Sequence, residues 1–181
     1  MKMETLPVAT AVEWVTAWTG LTWPVPAETA FAIRDRLGWV ADPVDGRFFT
    51  TVLTLPSQKH GGAISLHEAK LFSGIMFALT TCVPFGQEEP DTASVTWVAY
   101  QSYVEALTDL FGEPRTQARR VGTDSEFRQA KWYLPNRSSF SLNAQTGLIQ
   151  VMVYSPEQTW ADLEDQRLTE KYGEGWEDRL D

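Results

Sequence analysis

The chain has 181 residues, 43% of them hydrophobic and 12% aromatic, which is material for one well-filled domain and excludes global disorder. Its 15 Lys and Arg against 24 Asp and Glu leave a formal charge of −9. That balance argues against a broad nucleic-acid surface and against docking on anionic lipid, since both need clustered cations.

Val8, Ala11, Val12, Val15 and Trp18 fall at helical spacing, so residues 8–19 read as an amphipathic helix ending near Gly20. The connector Thr22-Trp23-Pro24-Val25-Pro26 is stiffened by its prolines, and Pro26 opens a second helix, 27–37, closed by Gly38. Asp42-Pro43-Val44-Asp45-Gly46 is turn chemistry. Strands rich in Thr, Val, Ile and Phe are expected at 47–55, 62–66 and 71–83, with 58–62 as a hairpin loop. Tyr100, Tyr103, Val104, Leu107, Leu110 and Phe111 share one face of a third helix, stopped by Gly112 and Pro114. A polar loop at 115–125 then precedes strands near 127–134, 138–143 and 148–154. Ser155-Pro156-Glu157-Gln158 has the form of a capping box, opening a last helix from 156 to about 172.

Two stretches, about 26–85 and 94–155, repeat the same order: a helix ended by Gly, a loop and three strands. Leu55-Pro56 and Ile64-Ser65-Leu66 in the first answer to Leu134-Pro135 and Phe140-Ser141-Leu142 in the second. The expectation is a single α+β domain over 1–181, in the order ααβββαβββα. Two α-β-β-β units would form a mainly antiparallel sheet of about six strands with helices packed on one face. The segment 156–181 stands apart as an acidic helix and tail.

A single cysteine, Cys82, excludes an intramolecular disulfide and an all-cysteine zinc site. The first residues include Lys2, Glu4 and Glu13 without a long apolar run, so no signal peptide is expected. The longest uncharged run, 71–87, is too short and too rich in Ser, Gly, Thr and Pro to span a membrane. A cytoplasmic protein is the expectation.

Catalytic signals are scarce. His60 and His67 belong to no ligand motif, so neither a metal nor any other cofactor is expected. Cys82 ends a strand, where a small, weakly polar residue packs well. No G-x-S-x-G elbow, P-loop or dinucleotide fingerprint occurs. Two features point instead to partners. Of the eight tryptophans, Trp23 in the proline connector and Trp176 in the tail stand where they need not be core. The segment 156–181 holds nine acids against three bases, Asp162, Glu164 and Asp165 among them. Between 115 and 137 lie six bases, including Arg115, Arg119, Arg120, Arg128 and Arg137, against two acids. The acidic helix either folds over that basic stretch or faces a basic protein partner.

The series Tyr100, Leu107, Phe111-Gly112-Glu113-Pro114, Trp132-Tyr133-Leu134, Ser139-Phe140-Ser141-Leu142 and Ile149-Gln150-Val151 resembles a group of small uncharacterised actinobacterial proteins. Leu37-Gly38-Trp39 fits it too. The resemblance implies an α+β fold without an assigned activity, in the company of immunity proteins and secretion chaperones. It carries over no functional residue. The expected function is therefore non-catalytic binding of another protein. The competing class is a small-molecule binder or enzyme, in which those arginines would hold an anionic ligand in a pocket between sheet and helices. A homodimer is a further possibility.

Overall fold

In the computed structural model, which describes residues 1–122 and 126–175, helix α1 (Val8–Thr19) buries Ala11, Trp14, Val15 and Trp18 along one side. This is the stripe expected from their spacing. The carbonyls at its C-terminal end are bound from afar: the Asn136 side-chain amide donates to those of Thr19 at 3.1 Å and Leu21 at 3.0 Å. The connector, with a cis Trp23–Pro24 peptide, leads into α2 (Ala27–Arg36), with Pro26 at its cap. Four strands follow, β1 (Val40–Ala41), β2 (Phe48–Thr50), β3 (Gly62–His67) and β4 (Leu71–Ala78). Helix α3 (Thr92–Phe111) closes at Gly112, whose φ of 80° is the left-handed turn that glycine makes without strain. Then come β5 (Thr116–Val121), β6 (Glu126–Tyr133), β7 (Ser139–Gln145), β8 (Leu148–Tyr154) and α4 (Pro156–Tyr172).

The fold is α+β, as expected, but the sheet has eight strands rather than about six, all paired antiparallel in the order β1-β2-β3-β4-β8-β7-β6-β5. The element order is ααββββαββββα. The two additional strands are the sheet's edges. β5 occupies the stretch expected as a loop, and its residues are exposed on nearly every position, so no alternation marks it. β1 is two residues long, too short to show a pattern. The first expected strand, 47–55, is regular only over Phe48–Thr50. The third is regular to Ala78, yet its extension to 83 stays hydrogen-bonded: the amides of Leu79 and Val83 donate to Ile149 and Gly147, and that of Thr81 to Glu4. Each half of the chain is a helix followed by a four-stranded meander, and the meanders join through their last strands.

The core lies between the sheet and α1, α2 and α3. Trp39 stands at its centre, stacked on Phe49 at 4.7 Å and on Trp18 at 6.0 Å, with the Trp14 ring edge-on at 4.9 Å. In the second half Trp132 stacks on Phe140 at 4.8 Å and donates its indole N–H to the Gly112 carbonyl at 2.9 Å. Thus β6 grips the end of α3.

Helix α4 departs from the one-face expectation. Its contacts, Thr159 to Ser139 and Asp162 to Lys131, fall on sheet residues that alternate with the core-facing Phe140 and Trp132. It therefore lies on the opposite face. Its start is the expected one: Ser155 Oγ accepts the Gln158 amide at 3.2 Å, with proline in the first turn. Ser155→Ala is expected to cost about 1 kcal/mol, read as a lower urea midpoint at unchanged m value.

Candidate functional site

Strands β7 and β8, and β6 from Ala130 onward, alternate apolar residues toward the core with polar or mixed residues toward the second face. On β7, Phe140, Leu142 and Ala144 point one way, and Ser139, Ser141 and Asn143 the other. Register lines these up across strands. One row runs Met76–Met152–Ser141–Lys131, and the next Ala78–Gln150–Asn143–Gln129. The second row carries a run of amides: Gln129 donates to Asn143 Oδ1 at 2.7 Å, and Asn143 donates to Ser141 Oγ at 2.9 Å. Helix α4 sits over the Ser139 and Lys131 end of this face.

At the other end, the segment 51–61 between β2 and β3 walls a cavity of about 260 Å³. Its floor is small and apolar, with Ala63, Met76, Ala78 and Leu148, while Thr54, Gln58, His60, Thr80 and Gln150 supply polar groups at its sides. His60 stacks on Phe48 at 4.6 Å. Its Nδ1 is buried without a hydrogen bond and stands 3.8 Å from Asp42 Oδ2. Asp42 also accepts the amides of Val44 and Asp45, which with the nearby cations hold its carboxyl below the usual range. Cys82 is a free, half-buried thiol in the same wall. His67, by contrast, is an exposed residue at the end of β3, against Glu68.

The covered end holds a buried cation. The Lys131 side chain is 9% exposed, its Nζ 2.9 Å from Asp162 Oδ2 and 5.0 and 5.4 Å from the ring centres of Tyr154 and Tyr133. The Tyr133 hydroxyl is buried without a partner, a state costing about 1–3 kcal/mol. Burial pushes the Tyr154 hydroxyl up despite the nearby Lys131. Such a niche attracts a carboxylate, because an ammonium removed from water needs an opposite charge close by.

The residues picked out from sequence are dispersed. Trp23 is half-buried, its ring stacked on Phe72 at 5.4 Å. Trp176 lies outside the described residues. Asp162 meets Lys131, so the acidic helix folds onto the basic stretch at that pair. Glu164 is engaged by Arg167 on its own helix, and Asp165 also has a partner. The arginines do not converge. Arg119 and Arg128 both bind Glu126 on the helix-bearing side, at 2.6 and 2.7 Å, with Arg128 also over the Trp97 ring. These two cations hold the Glu126 carboxyl below its usual range. Arg115 lies over Tyr133, Arg120 stands opposite Phe127 on the outer strand, and Arg137 sits in a turn at φ 68°. Sequence reasoning missed Lys131, Tyr133, Tyr154, Asn143 and Gln150 as one site. Their signal was the alternation of uncharged polar and mixed residues, which marks a strand face neither packed in a core nor freely solvated.

Among the described residues no group of three or more His, Cys, Asp or Glu is placed to hold a metal ion, and no helix is long and apolar enough to cross a membrane. No curated protein and no solved structure matches the chain. A family model does match, over residues 9–155, which takes in α1 through β8 and therefore both meanders and the cavity. The chain belongs to that family, a family of unknown function, DUF6301.

Proposed function

We propose that the chain is a non-catalytic protein-binding protein, and that an extended segment of its partner lies across the second face of the sheet with one apolar side chain in the cavity. The observation carrying this reading is the join between an apolar depression and a strip of side-chain amides. Met76, Ala78 and Leu148 can bury a large side chain, while Gln150 and Gln129 offer donors and acceptors to a partner's backbone, with the buried Asn143 bonded between Gln129 and Ser141. A cytoplasmic immunity protein or secretion chaperone would need such a face, since each must hold another chain without altering it chemically. The acids on the outer side of α4 would steer a basic partner toward it.

A photo-crosslinking amino acid at Gln150, compared with one at the 94%-exposed Val44, tests this in the native cell. The expected result is a crosslinked partner protein from Gln150 alone, lost when Ala78→Trp fills the cavity. Equal crosslinking from both positions, or indifference to Ala78→Trp, would defeat the reading. A second reading, a small ligand in the cavity, is favoured by the buried His60 Nδ1, which has no hydrogen bond and belongs to a residue of the cavity lining. It predicts that Ala78→Trp abolishes binding of the ligand while a change at Asn143, outside the cavity, leaves it intact.

A further inference from the structure

We infer that the niche around Lys131 is a carboxylate subsite for the partner's segment, and that Asp162 of α4 fills it as an internal stand-in. This rests on the protein-binding reading above and adds the chemistry of the bound segment.

Three observations carry it. First, Asp162 is the only ion-pair partner Lys131 has among the described residues, and it comes from an element outside the two meanders. The Tyr133 ring, its centre 5.4 Å from the Lys131 Nζ, carries a buried hydroxyl with no hydrogen-bond partner. Second, α4 is held thinly. Thr159 is the one residue it buries, Trp160 is 67% exposed and Tyr172 50%. It is seated by the half-buried Leu163 and Leu168 together with the Thr159–Ser139 hydroxyl contact at 2.8 Å and the Asp162–Lys131 pair. Such a contact can be exchanged one for one: a carboxylate from elsewhere replaces Asp162, and the lysine is never left unpaired. Third, the row Met76–Met152–Ser141–Lys131 joins the cavity to the niche. Three strand spacings make about 14 Å, which an extended chain covers in about four residues. The segment that fits has a large apolar residue and an Asp or Glu four positions apart, and its entry displaces α4.

The probe is a fluorescein-labelled peptide, Ser-Phe-Ser-Thr-Ser-Glu-Ser, with two relatives: one with Gln for Glu, and one with Glu two positions from Phe. Binding to the full chain is read by polarisation, and the state of α4 by amide hydrogen exchange over residues 156–172. Asp162→Asn is expected to tighten binding of the first peptide about tenfold by removing the competitor, and neither relative gains. Peptide binding to the unmodified chain should speed exchange in α4. Should Asp162→Asn lose its fold, Thr159→Val loosens the same helix without touching the charge pair and is expected to act in the same direction. The inference is overturned if the Gln peptide binds as well as the Glu peptide, or if neither variant tightens binding. If both peptides bind equally and both are lost with Ala78→Trp, the protein-binding reading stands and only the carboxylate subsite falls. If Ala78→Trp binds like the unmodified chain, or no form binds, the reading of the face falls with it.

Discussion

Trp39→Ala is expected to lower the free energy of unfolding by about 3–5 kcal/mol, the largest single loss among these predictions. Trp39 is 4% exposed and touches the rings of Trp14, Trp18, Phe49 and Phe77, which come from α1, β2 and β4. Truncation leaves a cavity bounded by stiff aromatic rings, which collapse poorly into it. Trp39→Phe should cost far less than alanine. Its indole N–H is buried without a hydrogen bond, so the smaller ring forfeits area but no polar contact. Trp132 gives the contrast. It is equally buried but bonds the Gly112 carbonyl, so Trp132→Phe leaves that acceptor bare and should cost more than Trp39→Phe. Urea unfolding of the four variants (Ala and Phe at each site) checks the ordering. A Trp39→Phe loss as large as that of Trp132→Phe would mean that the Trp39 indole N–H has a partner after all.

Gly74→Ala is expected to cost about 2–3 kcal/mol, although it adds a single methyl group. A Cβ built there would stand 2.6 Å from the Val153 carbonyl oxygen, and the obstacle is backbone that cannot rotate away. The clash falls on the pairing of β4 with β8, where Gly74 faces Tyr154, and relief requires prying those strands apart. Gly20→Ala is the control. There the nearest atom is 3.9 Å off and φ is −88°, so alanine fits without strain and stability should change by no more than about 0.5 kcal/mol. Similar thermal midpoints for the two variants would show that β8 yields at this point.

The helices were legible in the sequence because each has a local cause: the stripe of α1, the glycine stop of α3, the Ser155 cap of α4. The central strands were legible for the same reason, since Ile149, Val151 and Val153 alternate with Leu148, Gln150 and Met152. β5 was not, because Thr116-Gln117-Ala118-Arg119-Arg120-Val121 is solvated on both sides. Its charges suit an outermost strand, where they discourage further pairing, and they imitate a loop. The position of α4 was illegible for a related reason. A helix that buries only Thr159 shows no apolar face from which to tell what it covers. The candidate site was hidden more deeply. Lys131, Asn143, Gln150 and Met76 come from four strands and meet only through register, which no local pattern reports. The same register explains why the arginines gathered in sequence are scattered in space: neighbours on a strand point to opposite faces.

Because the sheet is joined through the last strand of each meander, its middle is the final part to be made. A ribosome delivers β4 early, and the flank that will receive β8 carries Ile75 and Phe77. That flank must wait while α3 and three more strands are synthesised, and during the wait it is an open edge beside apolar side chains, the arrangement most prone to pair with a stranger. Closure then comes in one late step, when β8 arrives already flanked by β7. The first meander is thus completed by the second rather than merely joined to it, and a chain cut short after α3 would have β4 paired with β3 on one edge and open on the other.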